Sequence, residues 1–107
     1  MKRGEIWLIN LYPTTGSEIK KTRPAIIVNI DALAKLPLSV IVPITDWKEH
    51  YAAAPWMVQI HHTAQNGLAN TSCADCFQIR SVSHERFLKK SERLSLFNRH
   101  TSPKPLV

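Results

Sequence analysis

A mainly β fold, a small antiparallel barrel with one or two short helices, is what this chain predicts. Three observations carry that expectation. Short runs of β-branched, aliphatic and aromatic residues recur at close spacing, at 4–10, 25–30, 38–42, 56–60 and 72–82. Turn-formers punctuate them, among them Pro13, Gly16, Pro24, Pro37, Pro43, Pro55 and Asn66-Gly67. Little of the chain has helical periodicity, so strands must build the core.

The elements follow in order. Glu5-Ile6-Trp7-Leu8-Ile9 forms the heart of the first strand. Residues 12–22 are a long polar connection, with Pro13, Gly16, Ser17 and two lysines. Residues 25–30 are nearly all apolar and predict a central strand buried on both faces. Pro24, without an amide hydrogen, marks where loop gives way to strand. Asp31 caps a short helical turn that Pro37 stops, and 38–42 is the next buried strand, ending at Pro43-Ile44-Thr45. A second polar loop, 46–55, carries Trp47, Lys48, His50 and Tyr51. Trp56 then opens an alternating strand to Ile60, as a core or interface residue, and Asn66-Gly67 makes a tight turn. Residues 72–82 read as one strand, and Ser83 caps a helix reaching to about residue 91. The domain spans 1–97. Residues 98–107, with Pro103 and Pro105, make an irregular tail.

A chain of 107 residues, 44% apolar, is a single globular domain. Its net charge of +6 favours anionic partners such as nucleic acid or an acidic protein. Part of that charge is terminal (Lys89, Lys90, Arg93, Arg99, Lys104) and fits a solvated tail equally well. No apolar run approaches a membrane span, and Glu5 and Asn10 interrupt any signal-like segment after Met1-Lys2-Arg3. The expectation is a cytoplasmic protein without a membrane partner. Cys73 and Cys76 make a C-x-x-C. On a strand the two sulfurs point to opposite faces, no second pair exists, and adjacent His61 and His62 diverge too. One buried and one peripheral thiol is expected, and neither a metal nor another cofactor.

The residues with the clearest chemistry surround Arg23. A polar loop, Gly16-Ser17-Glu18 and Lys20-Lys21-Thr22, delivers it to the lip of a buried strand. Arginine is planar, always charged and bidentate toward phosphate. Taken alone, the same arginine reads more readily as a partner that neutralises Glu18 across the loop.

These residues resemble a known family. Lys2-Arg3-Gly4-Glu5-Ile6-Trp7, Tyr12-Pro13-Thr14, Gly16-Ser17-Glu18, Thr22-Arg23-Pro24-Ala25 and Val42-Pro43-Ile44-Thr45 stand in the order and spacing of the MazF/PemK toxins. Gly67-Leu68, Ser72 and Gln78-Ile79-Arg80 continue the match to about residue 90. The resemblance implies an SH3-like barrel, a homodimer, and a sequence-specific endoribonuclease that cuts single-stranded RNA without a metal. It implies products with a 2′,3′-cyclic phosphate and a 5′-hydroxyl, and a cognate antitoxin that blocks the groove. Carried residue by residue, it makes Arg23 and Thr45 the catalytic pair, with Glu18 as a third member. Thr14, Gly16, Ser17, Lys20, Lys21, Trp47, Lys48 and Gln78 then become candidate RNA contacts. None of the five histidines matches a catalytic position.

Several features depart from the family pattern. Phe77 stands before Gln78, where many members have an aspartate, and Asp75 lies two residues earlier. On a regular strand, that offset would keep Asp75 and Phe77 on one face. Tyr12 replaces a common acidic residue, and the C-terminal segment does not read as the amphipathic helix usual in the family. Two rival readings therefore stand beside the ribonuclease. One is a gyrase poison of the CcdB kind, which uses the same barrel. The other is a catalytically lost decoy that only binds antitoxin.

Overall fold

The computed structural model describes residues 2–18, 21–33, 35–62, 68 and 70–95. Within them seven strands form: β1 (Glu5–Asn10), β2 (Thr22–Ile27), β3 (Leu38–Asp46), β4 (Met57–Ile60), β5 (Ser72–Asp75), β6 (Arg80–Ser83) and β7 (Phe87–Ser95). All pairings are antiparallel. The order is β4-β5-β3-β2-β1-β7, with β6 also on β3. The mainly β expectation holds, and among the described residues the sheet runs from an edge at β4 to an edge at β7 without closing. The helices are single 3-10 turns, at Asp31–Leu33, Glu49–Ala53, Cys76–Gln78 and His84–Arg86.

Alternation along β2 explains where the core sits. Ile26 joins Ile6, Val42, Ile44, Ile60 and Ala74 on one side of the sheet. Its neighbours Ala25 and Ile27 join Ile9, Leu11, Ile41 and Val82 on the other. The central strand is thus buried on both faces, as its apolar run requires. Each buried isoleucine contributes about 1.5–3 kcal/mol relative to exposure.

Two prolines sit inside these strands where the ladders are interrupted. Backbone direction alternates along a strand, and the Ile27 carbonyl accepts from Gly4 on the β1 side while the Val28 amide donates to Val40 of β3. By that alternation, position 24 faces the β3 side. There the β2–β3 ladder has already ended at Ala25↔Pro43, and the next residue, Ile44, pairs with Ala74 of β5. By the same argument Pro43 faces the β5–β6 side. Between Ile44↔Ala74 and Ile41↔Arg80, β3 advances three residues while its partner advances six. The missing amides of both prolines therefore fall in gaps. Neither leaves a broken ladder bond.

Four expectations need correcting. Pro24 does not mark the start of β2, which begins at Thr22 because the β1 side of the strand continues to Asn10↔Thr22. Residues 72–82 are not one strand: the 3-10 turn Cys76–Gln78 forms an excursion between β5 and β6. Ser83 does accept from the Glu85 amide at 3.3 Å, but the turn it caps ends at Arg86 and the chain becomes β7. Pairing with the open edge of β1, and an edge-on contact of Phe87 with Trp7 at 5.5 Å, outweigh local helix propensity there. Trp56 lies in the turn before β4 and is 45% exposed, not a core strand residue. Asn66-Gly67 and the tail 98–107 lie outside the described residues.

Candidate functional site

Arg23 and Thr45 come from the ends of β2 and β3 that splay apart. The β2–β3 register Ile27↔Ile41, Ile26↔Val42, Ala25↔Pro43 ends two residues short of both Arg23 and Thr45. Both share the sheet face of Ala25 and Pro43, because offsets of two keep a face. Arg23 remains paired to Ile9 of β1, and Thr45 to Cys73 of β5. Each is half-buried. The Nε of Arg23 is buried and finds no hydrogen-bond partner among the described residues. A buried donor left unsatisfied is costly.

A cavity of about 400 Å³ opens on the same side of the sheet, lined by Leu11, Ser17, Glu18, Pro43, Phe77, Gln78, Ile79 and Arg80. It exists because the ladder is interrupted at Pro43. The excursion walls one side and the loop between β1 and β2 the other. Arg23 and Thr45 are not in that lining. They stand next to it on β2 and β3, Arg23 two residues before Ala25, the partner of Pro43.

The loop from Leu11 to Lys21 is held at its neck by the Leu11 amide, which donates to the Lys21 carbonyl at 3.1 Å. Lys21 itself has φ 71° and is exposed. Gly16 has φ 59°, a conformation that side chains with Cβ rarely adopt. Glu18 accepts from the Thr15 amide at 2.6 Å while its own amide donates to the Thr15 carbonyl at 3.3 Å. Its carboxylate is therefore already oriented as it enters the cavity wall beside Ser17. Thr14 is half-buried, and Arg86 fastens the loop's entrance by donating to the carbonyls of Asn10 (3.3 Å) and Tyr12. Lys20 lies outside the described residues.

Trp47 and Lys48 follow β3 directly, beyond Thr45. Trp47 is half-buried, its amide donates to Thr71 at 3.1 Å, and its ring meets Tyr51 edge-on at 6.0 Å. Lys48 is exposed at the start of the Glu49–Ala53 turn. Gln78 lies in the cavity wall and donates from Nε2 to Asp75 at 3.0 Å.

Asp75 and Phe77 do not share a strand face, because the strand has stopped. Asp75 is 5% exposed and caps the excursion, with Oδ1 accepting from the Phe77 amide and Oδ2 from Gln78. Its contacts are those of a clamp on the turn. The same break brings the two thiols within reach of one acceptor: Cys73 and Cys76 lie 3.6 and 3.9 Å from the Ala74 carbonyl. Burial first, then Asp75 and Cys76, pushes the Cys73 thiol up to about 11. Cys76 is raised for the same first two reasons, burial and Asp75. Cys73 is buried and Cys76 half-buried, as expected.

Arg80 and Phe77 line the cavity, and strand patterning did not pick them out. Only the position of the excursion brings them to the cavity, and no local signal in 72–82 announces it.

Comparison with known proteins now settles the family. A family model described as PemK-like, MazF-like toxin of type II toxin-antitoxin system matches residues 2–97. The chain belongs to this toxin family. It is 35% identical over 96 residues to Endoribonuclease PemK of Escherichia coli, covering 88% of this chain and 70% of that protein. It is 34% identical over 99 residues to Endoribonuclease MazF9 of Mycobacterium tuberculosis, covering 89% and 83% respectively. Among solved structures, MazF from Deinococcus radiodurans superposes with a TM-score of 0.67 at 21% identity, over 89% of this chain and 80% of the other. That likeness supports the fold. No helix among the described residues is long and apolar enough to cross a membrane.

Proposed function

We propose that this toxin is a metal-independent endoribonuclease that cuts single-stranded RNA at a short sequence, halting translation and growth in the cytoplasm until an antitoxin masks it. The observation that supports it most is the buried Nε of Arg23, without a hydrogen-bond partner among the described residues, at the splayed end of β2. In the reaction, the ribose 2′-oxygen attacks the adjacent phosphorus and the bond to the 5′-oxygen breaks. The products are a 2′,3′-cyclic phosphate and a 5′-hydroxyl. Glu18 takes the 2′-proton, and the departing 5′-oxygen takes a proton from solvent water. Arg23 holds the extra negative charge of the phosphorane, and Thr45 donates to a non-bridging oxygen. A preorganised donor of this kind is worth about 10²–10³ in rate.

Thr14, Gly16, Ser17, Lys20, Lys21, Trp47, Lys48 and Gln78 serve as the RNA path on either side of that centre. The exposed Ile30, Leu33, Leu36 and Leu38 give a homodimer apolar surface to bury. The test is digestion of a long single-stranded RNA by purified protein with EDTA present, followed by analysis of the new ends. Cuts at one short motif, with cyclic phosphate on the 3′ side of each upstream fragment, are expected. Intact RNA from a folded protein would count against the reading.

A further inference from the structure

We infer that Phe77, backed by Trp56, is a stacking platform for one unpaired RNA base beside the cleaved phosphate. The inference rests on the ribonuclease reading and adds to it a residue that sets specificity. Phe77 is 76% exposed and lines the edge of the cavity. Its ring is braced by Trp56, with centroids 5.5 Å apart and planes at 56°. The backbone is fixed on both sides. The Cys76 amide donates to the Trp56 carbonyl at 3.0 Å, and the Phe77 amide to Asp75 at 3.1 Å. The ring is thus presented on a clamped turn, not on a loose loop. Ile79, 46% exposed, extends the apolar lip, and Arg80 follows in the same wall.

An apolar ring beside a cation fits a nucleotide, with the base on the ring and the phosphate on the guanidinium. A second copy of the chain would also cover the ring. The net charge of +6 and the adjoining Arg80 favour the polyanion. At position 77, where the family pattern often has an aspartate, this chain has a π-face. Its preference at that base follows stacking strength, favouring the larger purine faces over a particular hydrogen-bonding edge.

The test compares the unaltered chain with Phe77→Ala and Phe77→Tyr on one long single-stranded RNA, mapping cut sites and measuring KM and kcat. Binding is measured on the main cut-site sequence, made uncleavable by a 2′-O-methyl group on the attacking sugar. Phe77→Ala should weaken binding and raise KM about tenfold or more, with a much smaller change in kcat, and relax the preference at one base. Phe77→Tyr should restore both. Unchanged KM and cut sites in Phe77→Ala would overturn the platform while leaving the ribonuclease standing. An unaltered chain that neither binds nor cuts RNA would overturn both. Weaker binding that sedimentation traces wholly to dissociation of a dimer would assign the ring to a second copy, and would also overturn it.

Discussion

The two halves of β2 are paired and buried differently. From Ala25 to Ile27 the chain is paired on both sides, to β1 and to β3, and its side chains are fully buried. From Thr22 to Pro24 it is paired only to β1, because β3 has left for β5. One half holds the sheet together. The other presents Arg23 at a gap, two residues from the core. The lesson is that a rigid strand end, freed on one edge by a proline, can aim a cation without a flexible arm.

That comparison can be broken from either side. Ile26→Ala in the buried half should cost about 2–5 kcal/mol of stability, because a cavity opens where no collapse is easy. Urea unfolding measures it, and a loss under about 1 kcal/mol would mean that half is not the anchor. Arg23→Ala in the open half should do the reverse. It should slow RNA cleavage by about 10²–10³ while leaving the unfolding midpoint nearly unchanged or raised, since a buried unsatisfied donor is removed.

Asp75 tests the opposite wall. Asp75→Ala removes its bonds to the Phe77 amide and to Gln78, and should cost about 1–2 kcal/mol of stability. Cleavage should weaken through KM, because the wall loosens while Arg23 stays in place. A pure loss of kcat would instead give Asp75 a part in the chemistry.

The smallest effect lies at the far edge. Burial raises the Glu5 pKa, but bonds from Lys90, the Lys2 amide and Trp7 outweigh it, and the net shift is down from 4.5. A depressed carboxylate pKa stabilises the fold above the unfolded value and loses that contribution as pH falls through the folded one. The Lys90–Glu5 pair, 2.7 Å apart and partly exposed, should therefore add about 0.5–1 kcal/mol at neutral pH that fades below 4.5. Glu5→Gln should flatten that part of the acid titration of stability.

Strand existence was legible wherever one run of residues carried the whole signal. The two-sided burial of β2 follows from Ala25-Ile26-Ile27, and the loop before it from Gly16 and Ser17. What local pattern could not give was any feature created by pairing. Phe87 to Ser95 has helix-compatible residues and becomes a strand because β1 has an open edge. The excursion Cys76–Gln78 is invisible in 72–82, since it answers Pro43 on another strand. Arg80, Phe77 and the exposure of Trp56 all hang on that single feature. Arg23, Thr45 and Glu18 were nameable through motif resemblance, yet the gap that leaves Arg23 open only emerges from the register.

On the proposed mechanism, the splayed ends of β2 and β3 hold Arg23 and Thr45 on one phosphate. A double-mutant cycle on kcat/KM for RNA cleavage, with Arg23→Ala, Thr45→Val and the pair, tests it most directly. Each single change should cost about 10²-fold or more, and the pair little beyond Arg23→Ala alone, as for groups acting as a unit. Fully multiplicative losses, or wild-type cleavage by Thr45→Val, would show that the two residues do not share one centre.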